Sequence, residues 1–173
     1  MIGPNDNPNN AVTKKQLFNP RIGSFIYFQA DVDKRNEYQR VAVEETRLGI
    51  PLLFAYDVIH GFRTVYPISI AQACSFNTNL VNEAARMAAA EATASGLNWT
   101  FSPMVDVARD PRWGRVSEGY GEDPFVNSAF CVATVKGYQG EDLTAPDTLA
   151  ACLKHYVGYS ESMAGLDYAY TDI

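Results

Sequence analysis

Residues 77–107 read NTNLVNEAARMAAAEATASGLNWTFSPMVDV, and the fold turns on how this stretch divides. Its first twenty residues have helical spacing. Asn77 or Thr78 caps the start, and Val81, Ala84, Ala85, Ala88 and Ala92 share one face. Gly96 closes the helix at the position where a left-handed residue is favoured. That face is almost all alanine, so the helix can lie close against a sheet. NWTFSPMVDV then switches to a short apolar run, the pattern of a strand buried on both faces.

The same alternation continues outward in both directions. Upstream, IPLLFAYD (50–57) is a second apolar run. A polar helix is expected before it, from about Asp33 to Leu48, with Tyr38, Val41 and Ala42 inward and Gly49 at its end. GSFIYF (23–28) precedes that helix as a first strand, rich in aromatics and Ile. Downstream, DPFVNSAFCVATVKGYQG (123–140) is a third helix, with Asp123 as N-cap, Pro124 at N1 and Gly140 beyond its end. TLAACLKHY (148–156) is a fourth strand. The order β-α-β-α-β-α-β implies a parallel sheet with right-handed crossovers.

Two α/β architectures answer to that order: an open doubly wound sheet and a (β/α)8 barrel. No G-x-G-x-x-G or G-x-x-x-x-G-K follows any strand, and GYGED (119–123) lacks the spacing. This weakens the nucleotide-binding, open-sheet option. A full barrel takes about 250 residues. The chain has 173 and reaches YAYTDI without a closing helix, so a partial barrel of about the first four βα units is expected, truncated at its C-terminus. Residues 1–22, which open with turn chemistry in GPNDNPNN, form an irregular segment, and 23–173 form the barrel domain.

Composition narrows the function. Hydrophobic residues make up 47% of the chain, a globular value, and the net charge is −6 with no basic stripe. Nucleic acid is therefore not an expected partner. No apolar run is long enough to span a membrane, and MIGPNDNPNNAVTKK lacks the apolar stretch of a signal peptide. Cys74, Cys131 and Cys152 are odd in number, widely spaced and flanked by apolar or small residues. They read as buried free thiols, not as a disulfide framework or a metal site.

In parallel α/β folds the chemistry gathers at the carboxyl ends of the strands. Here those ends carry Asp57; then Asp106 with Arg109, Asp110, Arg112 and Arg115; then Lys154 and His155. Each has a plain structural reading. Asp57 could cap a turn. One of Arg112 and Arg115 is expected to pair with Glu118, Glu122 or Asp123 and stiffen the loop. Trp113 is expected to pack. His60 is expected to bond within its own loop, because Asp57-x-x-His60 has no third or fourth metal ligand beside it. Lys154 is the exception. A lysine following TLAACL needs a partner, and Asp57 across the rim is the obvious one. A carboxylate with Arg, Lys and His around a pocket mouth suits vicinal hydroxyls, which donate to the former and accept from the latter. No metal and no cofactor is called for.

AYDVIHG, FSPMVDVARDPRWGRVSEGYGEDP and LKHYVGY resemble, in order and spacing, the N-terminal barrel of the glycoside hydrolase family 3 β-glucosidases. The likeness runs from about Gly23 to the end. It implies a retaining exo-β-glucosidase that releases glucose, or sometimes xylose, from the non-reducing end of β-linked oligosaccharides or glucosides. By that resemblance Asp57, Arg115, Lys154 and His155 bind the terminal sugar. The catalytic residues are expected outside this chain: a nucleophilic aspartate downstream and an acid/base from a following domain. Glu118 and Glu122 fall where the family keeps loop-stabilising carboxylates. The chain alone is then expected to be inactive, and a periplasmic or secreted location follows from the family. A homo-oligomer, formed through the full-length protein, stays open. So do three other readings: a β-xylosidase of the same family, a non-catalytic sugar-binding fragment, and an aldolase forming a Schiff base on Lys154 with His155 as proton shuttle.

Overall fold

The computed structural model describes residues 22–26 and 31–171. Three parallel strands form the sheet in the order β1 (Ser24–Ile26), β2 (Leu53–Tyr56), β3 (Trp99–Thr100). Phe25 pairs with Phe54, and Tyr56 with Thr100. The last two residues expected in the first strand, Tyr27 and Phe28, lie outside the described residues.

The helices are α1 (Val32–Arg40), α2 (Ser69–Ala73), α3 (Thr78–Ala94) and α4 (Pro124–Gln139). Asn77 caps α3 by accepting from the backbone N–H groups of Asn79 and Leu80. Asp123 caps α4 by accepting from Val126, with Pro124 in the first turn. Both starts are as the sequence implies. The first helix is shorter than expected. It gives way to a π-helical turn over Val41–Glu45, after which Thr46 is extended. The Thr46 hydroxyl donates back to the Ala42 carbonyl and accepts from Gly49 N–H, so the threonine ends the helix before the glycine is reached. The short helix α2 was not foreseen.

The alanine face of α3 meets a helix as well as the sheet. Ala85, Ala88, Ala89 and Ala92 pack in the core with Phe25, Phe54, Val58, Tyr138 and Leu149. On α4, a Cβ at Gly137 would stand 2.4 Å from the Asn82 carbonyl and 2.7 Å from the Ala85 Cβ. Small residues on both helices let their backbones approach. Tyr138, buried beside that contact, donates to the Val58 carbonyl at the end of β2. This bond ties α4 to the strand that delivers Asp57.

The fourth strand is not a regular one. Segment 148–155 follows the third strand through two isolated parallel bridges, Trp99 to Ala150 and Met104 to Lys154. Between them the third segment takes five residue steps and the fourth takes four. One residue is therefore extra in the third segment, as in a bulge. Pro103, which has no N–H to give to a ladder, falls inside this slip, and its bond to Ser102 is cis. Hydrogen bonds still cross at both ends: Ala150 N–H to Asn98, Thr100 N–H to Ala150, Lys154 N–H to Pro103, and Val105 N–H to Lys154. The slip brings Asp106 alongside His155. The peptide bond between Lys154 and His155 is also cis.

Candidate functional site

Six charged or polar side chains from the strand ends and the 106–123 loop form one connected chain. Lys154 Nζ lies 3.0 Å from Asp57 Oδ1 and 4.0 Å from Glu118 Oε2. Glu118 in turn accepts two bonds from Arg115, from Nε and Nη2, each 2.7 Å. Arg115 Nη1 stands 3.3 Å from His155 Nε2. His155 donates from its backbone N–H and contacts with Nδ1 the same Asp106 oxygen, both at 2.9 Å.

Burial grades along this chain. The Asp106 side chain is 3% exposed and the Lys154 side chain 13%, while that of Asp57 is 52% exposed. Lys154 is thus a largely enclosed cation held by a carboxylate whose other side faces outward. The expected pairing of Lys154 with Asp57 is present. A cleft of about 470 Å3 opens beside the network, lined by Asp106, Arg109, His155, Val157, Ser160 and Glu161 among others.

Electrostatics follow the contacts. The Arg115 fork holds the Glu118 carboxyl below the ordinary glutamate value, with Lys154 adding to the effect. Glu118 raises the Arg115 guanidinium in return. Arg112 plays the other part. It doubles back on Asp110, bonding both carboxylate oxygens, and pulls that carboxyl down to about 2. The expected partners were Glu118, Glu122 or Asp123; the loop-stiffening arginine pairs with Asp110 instead, and it is the site residue Arg115 that takes Glu118. Glu122 and Asp123 take neither arginine; Asp123 serves as the α4 cap.

Trp113 and His60 keep their plain readings, and Arg109 forms an ion pair of its own. Trp113 is buried, and its indole N–H donates to Asp167 at 3.1 Å. His60 Nδ1 lies 2.8 Å from the Tyr66 carbonyl within its own loop. Arg109 pairs with Glu161 at 2.9 Å. The cysteines need a correction. All three are free, but only Cys131 is buried, while Cys152 is half-buried and Cys74 exposed. Cys74 sits just past α2, an element the sequence pattern did not reveal, and that turn presents it to solvent.

One residue of the network and one beside it were underrated by sequence reasoning. Asp106 was visible as a strand-end acid, but nothing in the sequence says that the one-residue slip sets it against His155. Tyr159 was missed. Its ring stands edge-on to His155 at 4.4 Å and to Trp113 at 5.4 Å between centroids. The signal for it was only its presence in LKHYVGY.

The arrangement offers a carboxylate acceptor at Asp57 beside donors on Lys154 and Arg115. This is the pattern that a pair of neighbouring hydroxyls satisfies. The family model for the glycosyl hydrolase family 3 N-terminal domain matches residues 3–173. The chain belongs to this family.

Solved family structures agree with the fold. A β-glucosidase from Listeria innocua in complex with laminaribiose superposes with a TM-score of 0.80 at 45% identity, over 87% of this chain and 21% of that one. A β-glucosidase involved in saponin metabolism from intestinal bacteria gives 0.86 at 36% identity, over 94% and 22%. In sequence, a periplasmic β-glucosidase of Salmonella typhimurium is 41% identical over 99% of this chain, and a β-xylosidase of Formosa agariphila 34% identical over 95%. The chain spans only 22% and 25% of those two relatives. Among the described residues no helix is long and apolar enough to cross a membrane.

Proposed function

We propose that this chain carries the sugar-holding part of a retaining exo-β-glucosidase that removes terminal non-reducing β-D-glucosyl residues. Asp57, Arg115, Lys154 and His155 bind the terminal ring. The observation that carries this reading is the single network joining these four residues from three separate segments of the chain. Asp57 accepts from two neighbouring hydroxyls with the oxygen lone pairs that Lys154 leaves over. Lys154 and Arg115 donate the N–H groups that their partners in the network leave over.

Residues 23–173 make up about the first four βα units of a (β/α)8 barrel, and the fourth, bridged segment is the last of them. Retention of configuration needs two carboxyl groups about 5 Å apart, one as nucleophile and one as acid/base. Asp57 and Glu118 are both paired with cations and are assigned to sugar holding and loop support. By the family resemblance, the nucleophilic aspartate and the acid/base come from outside this chain. A periplasmic location fits the name of the Salmonella relative.

A β-xylosidase is the second reading, favoured by the Formosa relative. Schiff-base chemistry fits less well, because it requires a free amine and Lys154 is engaged with Asp57. The test is turnover of chromogenic aryl β-glucoside and β-xyloside by the full-length protein and by the 173-residue chain. The full-length protein should prefer the glucoside, and the chain should turn over neither. Activity of the chain comparable to that of the full-length protein would place a nucleophile among these residues and overturn the assignment.

A further inference from the structure

Among the described residues the Asp106 carboxylate hydrogen-bonds only to His155. Its Oδ2 receives the His155 backbone N–H and stands 2.9 Å from Nδ1. On its far side the His155 ring meets Arg115 Nη1 at 3.3 Å. A guanidinium has only donors. Nε2 must then present its lone pair to Arg115, and the ring proton must be on Nδ1, pointing at Asp106. The reverse tautomer would set two N–H groups against each other at Arg115. The Tyr159 ring, edge-on at 4.4 Å, closes one side and limits rotation of the imidazole.

We propose that Asp106 is a positioning residue for the sugar site. It fixes the tautomer and orientation of His155, and through Nε2 it fixes the Arg115 fork between His155 and Glu118. Arg115 then has its Nε and one Nη2 hydrogen engaged by Glu118, and its Nη1 hydrogens by His155 and the Tyr159 hydroxyl. A second Nη2 hydrogen, without a partner among the described residues, is left for a hydroxyl. The proposal rests on the sugar-binding reading above and adds a residue to it. Asp106 is suited to the task because it is buried, and its own backbone carbonyl is held by Asn127 Nδ2 at 2.9 Å.

The experiment is a double-mutant cycle in the full-length enzyme, with kcat and KM measured on an aryl β-glucoside. D106A should lower kcat/KM by about ten- to a hundred-fold, the effect of losing a charged hydrogen bond. In an H155A background D106A should cost clearly less than in the wild type, because the ring is gone and only the backbone N–H of residue 155 is left for it to hold. D106N should stay within a few-fold of the wild type, since its carboxamide oxygen accepts the same two bonds. This arm holds even where D106A does not fold. Additive losses for D106A and H155A would overturn the proposal. So would a D106N variant of unchanged Tm that is as impaired as H155A, since Asp106 would then act on its own account. A wild-type enzyme inactive on both β-glucosides and β-xylosides would bring down the sugar reading itself, before any variant is compared.

Discussion

Lys154 Nζ and Asp57 Oδ1 meet at 3.0 Å across 97 residues of sequence. The contact closes the rim between the second and fourth strand ends, and the sugar reading depends on it. Asp57→Ala in the full-length enzyme should remove both the hydroxyl acceptor and the nearer carboxylate of Lys154, leaving Glu118 at 4.0 Å. Losing a charged hydrogen bond costs about 1.5–3 kcal/mol, so kcat/KM on an aryl β-glucoside should fall roughly ten- to a hundred-fold. Steady-state kinetics check this. Wild-type values would return Asp57 to a capping role.

How much of this was legible beforehand differs by residue. The starts of α3 and α4 were, because Asn77 and Asp123 cap by local chemistry that a sequence displays. The strand ends bearing Asp57 and Lys154 were, because an apolar run that stops at a charge is a one-dimensional signal. Their pairing was inferred from the lysine's need of a counter-charge. Asp106 against His155 was not legible, because a one-residue slip between two segments depends on Pro103 and on the neighbouring strand. Nor was the division between Arg112 and Arg115. Both lie within reach of acids, and only the loop geometry sends one to Asp110 and the other to Glu118. The early end of the first helix was hidden for a similar reason: Gly49 looked like the stop, and the Thr46 hydroxyl acted first.

The approach of α3 to α4 predicts a stability contrast between two glycines. Gly137→Ala would normally favour a helix by up to about 1 kcal/mol. Here the new methyl would meet the Asn82 carbonyl at 2.4 Å, and backbone cannot step aside cheaply. Overpacking of this kind costs about 1–3 kcal/mol, so the clash wins and Tm should drop. Gly114→Ala, with nothing within 4 Å of its Cβ, should leave Tm nearly unchanged. Thermal melts of the two variants decide it; equal shifts would mean that the helices are not in close contact at Gly137.

The three thiols should separate under a thiol-specific reagent. Burial pushes the Cys131 thiol up to about 12, and the Asp106 carboxylate adds to it, so almost no thiolate forms at neutral pH. Cys74 is exposed. In the native protein at pH 8, Cys74 should react first, Cys152 more slowly, and Cys131 only after denaturation. Mass spectrometry of the labelled peptides reads the order. Early labelling of Cys131 would contradict its place in the core.

Glu118 gives the network an acid-sensitive step. Its carboxyl is held below the ordinary value, first by the Arg115 fork. A depressed carboxyl binds fewer protons in the folded state than in the unfolded chain, so it stabilises the fold above the unfolded value of about 4.3. That contribution is lost as pH falls through the lower, folded value. Glu118→Gln removes the titration altogether. The variant should therefore melt below the wild type at pH 7, and the gap should narrow as pH is lowered below about 4.3. Melting temperatures across that range, at fixed ionic strength, give the comparison. A gap that stays constant down to strongly acid pH would mean that the charge of Glu118 contributes nothing, and that Arg115 is held by shape alone.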